Sequence, residues 1–452
     1  MTDTIFALSS GAVPSGVAVI RLSGPRTLTV VKEMCGDVPP ARRACLRLLK
    51  DPQSGTILDE VLVLVFEGPA SFTGEDVAEF HCHGGRAVVA AVLETLSDRT
   101  GCRPAEPGEF TRRAFEKGRL DLTEVEGLAD LIAAETEQQR RQALRQMGGA
   151  LGILYEGWRA RLIHMRAMIE AEFDFADEED VPGSVADLVW GEAAELAGEI
   201  ESHLKQSKSG ERLRNGLQVV LMGAPNAGKS SLLNALAGRD VAIVTEEAGT
   251  TRDVIEVHLD LGGYPVTLAD TAGLRETEGR VEQEGIRRAR ARGLSADLIL
   301  WAREAGGPEC SDPATGVGAE ILDRVPVWTI ATKQDLSPID RLDANGANPG
   351  SRVVPCSVET EAGIQPLLAA LTEFAQDRIS VGEAPLATRA RHRHYLQEAV
   401  EALSTACLQS HLPMELRAED LRQAADALGR ITGRIDVEDL LDVIFREFCI
   451  GK

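Results

Sequence analysis

The chain has 452 residues, 44% hydrophobic and 26% charged, with 71 acidic against 48 basic side chains and a formal net charge of −23. At roughly one domain per 150 residues, that length suggests about three domains of ordinary globular composition. The charge argues against a protein that coats nucleic acid by bulk electrostatics, without excluding a local basic groove.

No run of about 18 apolar residues occurs, so no membrane-spanning helix is expected. The start, MTDTIFALSS, has no basic stretch ahead of an apolar core, which argues against a signal peptide. The eight cysteines form no CxxC pair and read as reduced thiols of a cytoplasmic protein. In chain order, residues 1–118 alternate short apolar runs with turns (GVAVIRLSG, VLVLVFEGP, then the helical RAVVAAVLETL) and predict a small α+β domain. Residues 119–214 predict long helices, with helical apolar spacing in LTEVEGLADLIAAETEQQRRQAL and ILYEGWRARLIHMRAMIEAE. The acidic run Asp174–Asp180 before Pro182 and Gly183 predicts a loop between helices.

Residues 215–378 switch to strands alternating with helices (LQVVLMG, VTLAD, DLILWA, VPVWTI, RVVPC), which implies a parallel-rich sheet with helices on both faces. Residues 379–452 return to helix in RHYLQEAVEALSTACL and DLRQAADALGRITG. That last stretch is too short to hold much core alone. The simplest arrangement joins it to residues 119–214 as one helical domain, with the α/β domain inserted; two separate helical domains are the alternative.

The third stretch carries the densest chemistry. Gly223–Ser230 fits GxxxxGK[ST] between a strand and the helix SSLLNALAG, the context that makes a phosphate loop credible. Asn226, Ala227 and Gly228 would turn backbone N–H groups toward phosphates. Lys229 would reach the β- and γ-phosphates, Ser230 would ligate magnesium, and Ser231 continues the positive helix N-terminus. In the run Gly249–Asp253, Thr250 and Thr251 follow, and Thr251 is the expected second magnesium ligand and γ-phosphate sensor. Asp270, Thr271, Ala272 and Gly273 come after a strand; Asp270 would hold magnesium through water and the Gly273 amide would touch the γ-phosphate. Thr332, Lys333 and Asp335 select the base: one carboxylate accepts both N–H donors on the guanine edge, whereas adenine offers an acceptor there. Ser357 lies in a loop expected to close over the guanine.

Two positions depart from small GTPases. Thr332 stands where asparagine is usual, although its hydroxyl can still bond the phosphate loop. Leu274 stands where Ras-like proteins place the glutamine that orients the attacking water. On motif logic, either the domain barely hydrolyses GTP or another group acts.

With SFTGEDV at 71–77, PGEFTRRAF at 107–115, GAPNAGKSSLLNAL, IVTEEAGTTRDV, DTAGLRET and the terminal Cys449–Lys452, the chain resembles the MnmE (TrmE) family of bacterial tRNA-modifying GTPases over essentially all of its 452 residues. The resemblance implies a potassium ion in place of an arginine finger, ligated by Asn226 and by the loop containing Thr245, Glu247 and Thr250. It gives Glu282 the task of orienting the attacking water indirectly, which would answer the Leu274 puzzle and make Glu282, Asn226 and Lys229 the catalytic set. It assigns Arg21, Glu79, Arg119 and Lys452 to 5-formyl- or 5,10-methylene-tetrahydrofolate, with Arg119 where relatives can carry lysine, and it raises a chemical role for Cys449 against plain packing. It also implies a homodimer. A flavin-dependent partner, MnmG, carries FAD and shares the reaction at carbon five of the wobble uridine of tRNA, which installs an aminomethyl or carboxymethylaminomethyl group. The rival reading is a GTP-dependent assembly switch without base chemistry.

Three clusters remain. His81 and His83 share one side of a strand but lack an evident third metal ligand, so ordinary packing is expected. The basic runs Arg389–His394 and Arg112, Arg113, Lys117 and Arg119 could face tRNA phosphates or serve the fold.

Overall fold

The computed structural model describes residues 3–174, 185–223, 226–239, 241–243, 256–270, 291–304, 319–335, 352–360, 363–379, 382, 384–409, 411–435, 438–446 and 448–451. It divides into two compact units: Met1–Ala129 with Gln146–Ala193 and Glu401–Lys452, and Asp130–Arg145 with Ala194–Val400.

In the first unit a six-stranded sheet is built from β1 (Thr4–Leu8), β2 (Ser15–Ser23), β3 (Cys45–Lys50), β4 (Ile57–Phe66), β5 (Val77–Gly84) and β6 (Cys102–Pro104), in the order β3-β4-β5-β2-β1-β6. Only the β1–β6 pair is parallel. Side chains alternate across a strand. Ala18, Ile20 and Leu22 of β2 and Ala78, Phe80 and Cys82 of β5 therefore enter one core with Val30, Val31 and Met34 of helix α1 (Thr27–Cys35) and Val89, Val92 and Leu96 of α2 (Arg86–Ser97). The intervening residues Arg21, Glu79 and His81 are left on the opposite face, and the register sets Arg21 against Glu79.

Helix α3 (Glu109–Glu116) is tied to this sheet by a buried ion-pair cluster. Arg113 has no solvent-exposed side-chain surface and meets Asp3, Glu75 and Glu109 at 3.0 Å each. Arg103 shares Asp3 and Glu109 with it. Leu122 and Val125 of α4 (Leu122–Ala133) pack with Ile444 and Phe445 of the helix Glu438–Arg446. The long helix α6 (Ala150–Asp174) packs along the helix Met414–Thr432, which stops at Gly433 in a left-handed conformation.

The expected single helix over residues 122–144 is two. Helix α4 ends at Ala133 and α5 (Glu137–Met147) starts afresh. The cause is local: the Thr136 N–H donates to Gln139 Oε1 at 3.0 Å and the Gln139 N–H to Thr136 Oγ1 at 3.5 Å, a capping box that favours a new helix start. The acidic run that was expected to form a loop falls at residues 174–180, and from 175 onward it lies outside the described residues.

The second unit holds a seven-stranded sheet of β7 (Leu217–Gly223), β8 (Ala242–Ile243), β9 (Glu256–Leu261), β10 (Tyr264–Asp270), β11 (Leu298–Glu304), β12 (Val327–Thr332) and β13 (Arg352–Pro355), in the order β13-β12-β11-β7-β10-β9-β8. All pairs are parallel except those made by β9. Leu217, Val219 and Leu221 of β7 pack on one face with Leu232 and Leu236 of α8 (Lys229–Ala237) and Leu367 and Leu371 of the helix Gln365–Arg378. Val220 and Met222 pack on the other with Ile321 of the helix Ala319–Leu322. This is the P-loop GTPase fold with helices on both faces, inserted into a helical domain formed by two chain segments.

The insertion is gripped where the chain enters and returns. Asp130 accepts from Arg214, one residue before Asn215, and from Arg389, just past the return, at 2.8 Å each. Among the described residues, no helix is long and apolar enough to cross a membrane.

Candidate functional site

β7 is the point from which the sheet grows both ways, with β10 on one side and β11 on the other. In open α/β sheets, the carboxyl ends of strands at such a switch point form the crevice that takes ligands. The phosphate loop follows β7 there. A side chain at Gly223 would place its Cβ 2.3 Å from the Ala302 carbonyl oxygen, so the loop can leave β7 on this path only with glycine. Asn226 (φ 64°) and Gly228 (φ 84°) then take left-handed conformations, for which asparagine and glycine are the favoured residues. Gly228 caps α8, whose first residues are Lys229, Ser230 and Ser231. Lys229 is buried and donates through Nζ to the Gly223 carbonyl at 2.8 Å. Burial lowers the pKa of its ammonium, and the charge of Asp270 opposes that shift. Asp270 ends β10 and is itself buried.

The base-selecting segment ends β12. The Thr332 hydroxyl donates to the Ala227 carbonyl at 2.8 Å, with the Arg303 carbonyl at 3.1 Å. The bond foreseen between threonine and phosphate loop is therefore made. Lys333 (φ 58°) pairs with Glu304 at 3.0 Å. Asp335 is exposed and accepts from the Ser357 hydroxyl at 2.6 Å, which fixes one carboxylate oxygen and leaves the group facing outward. Thus Asn226, Ala227, Gly228, Lys229, Ser230, Ser231, Asp270, Thr332, Lys333, Asp335 and Ser357 lie at strand ends, in loops and at the start of α8 around one sheet. Thr245, Glu247, Thr250, Thr251, Thr271, Ala272, Gly273, Leu274, Glu282 and Lys452 lie outside the described residues.

In the other unit, Arg21, Glu79 and Arg119 line one cleft of about 440 Å³. Sheet register explains the first two. Arg21 binds Glu79 through Nε and Nη2 at 2.9 Å and lies 5.9 Å from the Phe72 and 5.8 Å from the Phe110 ring centroid. The sequence reading missed Arg42, Phe66 and Phe72, which also line the cleft. No short motif marks them, because they reach it from a loop, a strand end and a turn. Cys449 is exposed and lines a different cleft with Leu8, Ser10 and Leu93. Its neighbour Ile450 bridges to Pro107.

His81 contacts Glu79 at 3.3 Å, His83 contacts Asp59 at 2.8 Å, and no metal-binding group of side chains occurs among the described residues. Arg113 is buried, which removes it from any RNA-facing patch, and the partly exposed Arg112 pairs with Glu116 and Asp442. In the second basic run Arg389 holds Asp130, Arg393 holds Glu211, and His392 is buried.

Comparison with known proteins agrees in both units. The sequence model of the GTP-binding protein TrmE N-terminus matches residues 4–119, and that of the MnmE helical domain matches residues 122–449. The tRNA modification GTPase MnmE of Rhizobium meliloti (strain 1021) is 54% identical over 452 residues, covering 100% of this chain and 99% of that protein. The protein of the same description from Brucella melitensis biotype 1 is 53% identical over 450 residues, covering 100% and 98%. Among solved structures, the G domain of the T. maritima FeoB iron transporter matches 35% of this chain and 99% of its own, at 30% identity and a TM-score of 0.27. By two family models that together span most of its length, and by full-length relatives above half identity, this chain belongs to the MnmE (TrmE) family of tRNA modification GTPases.

Proposed function

We propose that the chain is a potassium-stimulated GTP hydrolase that, with a flavin-dependent partner of the MnmG kind, modifies carbon five of the wobble uridine in tRNA. The added aminomethyl or carboxymethylaminomethyl group takes its one-carbon unit from 5-formyl- or 5,10-methylene-tetrahydrofolate. The observation that carries this reading is the presence on one chain of two differently built sites. One is a nucleotide edge on which Lys229 bonds Gly223, Thr332 bonds Ala227 and Ser357 orients Asp335; the other is an arginine-rich cleft holding Arg21, Glu79 and Arg119. A switch that only assembles complexes has no evident use for the second.

On this reading Ser230 and Thr251 hold magnesium, with Asp270 acting through water. Asn226, Thr245, Glu247 and Thr250 hold potassium. The fixed cation offsets charge that develops on the phosphates during transfer, and Glu282 orients water indirectly. Arg21, Glu79, Arg119 and Lys452 take the folate, and Cys449 is a candidate participant in the carbon chemistry. The working boundaries are residues 1–118, 119–214, 215–378 and 379–452, and the protein acts as a cytoplasmic homodimer.

The test is reconstitution: chain, flavin partner, folate, GTP and unmodified tRNA, followed by nucleoside analysis. Modified wobble uridine that requires every component is the expected result. An unmodified uridine with normal GTP turnover would favour the assembly switch.

A further inference from the structure

We propose that Arg42 is a ligand-binding residue of the N-terminal cleft and that, with Arg119, it selects a ligand bearing carboxylates over the same ring system without them. This rests on the folate reading of that cleft and deepens it by assigning its charged groups to parts of the ligand.

Four charged side chains line the cleft: Arg21, Arg42, Glu79 and Arg119. Two of them neutralise each other, since Arg21 binds Glu79 through two nitrogens at 2.9 Å. Arg42 and Arg119 have no carboxylate partner among the described residues. Several other arginines of the same unit are matched: Arg47 with Asp37, Arg103 with Asp3 and Glu109, Arg112 with Glu116 and Asp442, and Arg113 with Asp3, Glu75 and Glu109. In a chain of net charge −23, two uncompensated guanidinium groups lining one concave surface are a specific anion-attracting feature.

Arg42 is also held in place before any ligand arrives. Its backbone occupies the left-handed region at φ 60°, uncommon for a residue with a side chain, and its N–H donates to the Val65 carbonyl at 2.8 Å. Its guanidinium donates to the Ala70 carbonyl and lies 5.7 Å from the centroid of the Phe66 ring. Phe66 and Ala70 themselves line the cleft. A long side chain anchored in this way loses less rotamer freedom on binding, so more of its hydrogen-bond energy appears as affinity.

The chemistry then divides among the charged side chains. Glu79, one oxygen of which Arg21 holds, is the acceptor for N–H donors of a planar ring. Arg42 and Arg119 are the donors for an anionic end. A folate carries both parts, a ring system rich in N–H groups and a glutamyl tail with two carboxylates. A guanidinium suits that tail because its planar fork matches carboxylate geometry.

The experiment uses the full chain and calorimetric titration with two ligands: 5-formyl-tetrahydrofolate, and the same compound with both glutamyl carboxylates converted to amides. The unaltered chain is expected to prefer the diacid by about tenfold or more, as befits the loss of charged hydrogen bonds. Added salt should erode that preference. Arg42→Gln should weaken diacid binding by about tenfold and leave diamide binding unchanged, at an unaltered thermal midpoint. Equal binding of diacid and diamide by the unaltered chain would overturn the proposal while leaving the folate reading intact. So would an Arg42→Gln variant that binds both as before, or loses both alike. An unaltered chain that binds neither compound would defeat the folate reading, and the proposal with it.

Discussion

The phosphate loop and the N-terminal cleft solve the same problem, holding an anionic ligand, with different materials. The loop is written in backbone: within the run Gly223–Ser230, Asn226 and Gly228 take left-handed conformations and Gly223 approaches Ala302 too closely for any side chain. The cleft is written in side chains, Arg21, Arg42, Glu79 and Arg119, brought together from far apart in the sequence by strand register and loop paths. A backbone site restricts which residue types can occupy it and so leaves a local sequence motif. A side-chain site restricts positions in space and leaves none. The first should therefore depend on few side chains, each strongly, and the second on the integrity of its scaffold.

The sharpest way to break that contrast is Asn226→Ala. If Asn226 ligates potassium, removing its side chain should cut potassium-stimulated GTP turnover by about a hundredfold or more, the scale of losing one preorganised electrostatic contact to the transition state. Binding of GTP through Lys229 and Ser230 should persist. Turnover of the unaltered chain that is equal in sodium and potassium, at matched ionic strength, would remove the basis for the assignment.

The scaffold side of the comparison is tested at Arg113. Replacing it with methionine would leave Glu75, Glu109 and Asp3 clustered without their shared cation, and breaking a buried pair from one side typically costs about 3–5 kcal/mol. Urea unfolding of the N-terminal unit should register that loss, while GTP turnover stays near normal. The same cluster sets an acid limit. Burial, the largest single effect, raises the pKa of the Glu109 carboxyl, but the hydrogen bonds from Arg103, the Glu106 N–H and Arg113, with the Arg103 charge, together outweigh it and hold it below the ordinary value. A depressed folded-state pKa contributes stability that is present above the unfolded pKa, about 4, and lost as pH falls through the folded value. The unaltered chain should therefore lose stability below about pH 4, and the loss should be smaller in Arg113→Met. Identical acid profiles would count against the cluster as its source.

An intermediate effect is expected at Asp335. The Asp335→Asn change replaces an acceptor by a group that can donate, so preference should move from guanosine toward xanthosine triphosphate, by about a hundredfold in relative affinity. Undiminished GTP preference in the variant would reject the role. Ser357, which orients that carboxylate at 2.6 Å, should when replaced by alanine weaken GTP binding modestly, with no move toward xanthosine triphosphate, because Asp335 remains an acceptor.

What could be read from the sequence follows the same division. The five parallel strands were evident because each holds a short apolar run, in β7, β10, β11 and β12 buried on both faces, while β8 and β9 were passed over, being short or alternating toward the sheet's edge. The break between α4 and α5 was missed although Thr136 and Gln139 spell a capping box, because apolar periodicity continues across it. In the nucleotide site the motif residues were legible at once. In the cleft, Arg21, Glu79 and Arg119 came only through family resemblance, and Arg42 did not come at all. Nothing local distinguishes an arginine that lines a cleft from one that, like Arg113, is buried among carboxylates.

The smallest expected effect concerns Thr332, where sequence and structure meet most closely. Small GTPases usually carry asparagine here, and its amide braces the phosphate loop. In this chain a hydroxyl does so, donating to the carbonyl of Ala227, a residue that is itself buried. Valine matches threonine in shape, so Thr332→Val keeps the packing at the end of β12 and removes only the donor. The Ala227 carbonyl would then lose that partner, at a cost of about 1–3 kcal/mol if no water replaces it. Part of that cost should appear as weaker nucleotide binding, about tenfold for GDP. The fold should survive, since the core beneath Ile330 is unchanged. Thr332→Asn should bind nucleotide at least as tightly as the unaltered chain. Fluorescent-nucleotide titration distinguishes the cases: unchanged affinity in Thr332→Val would mean that the brace is dispensable, and that the backbone of the loop, with its glycines and left-handed Asn226, holds its shape alone.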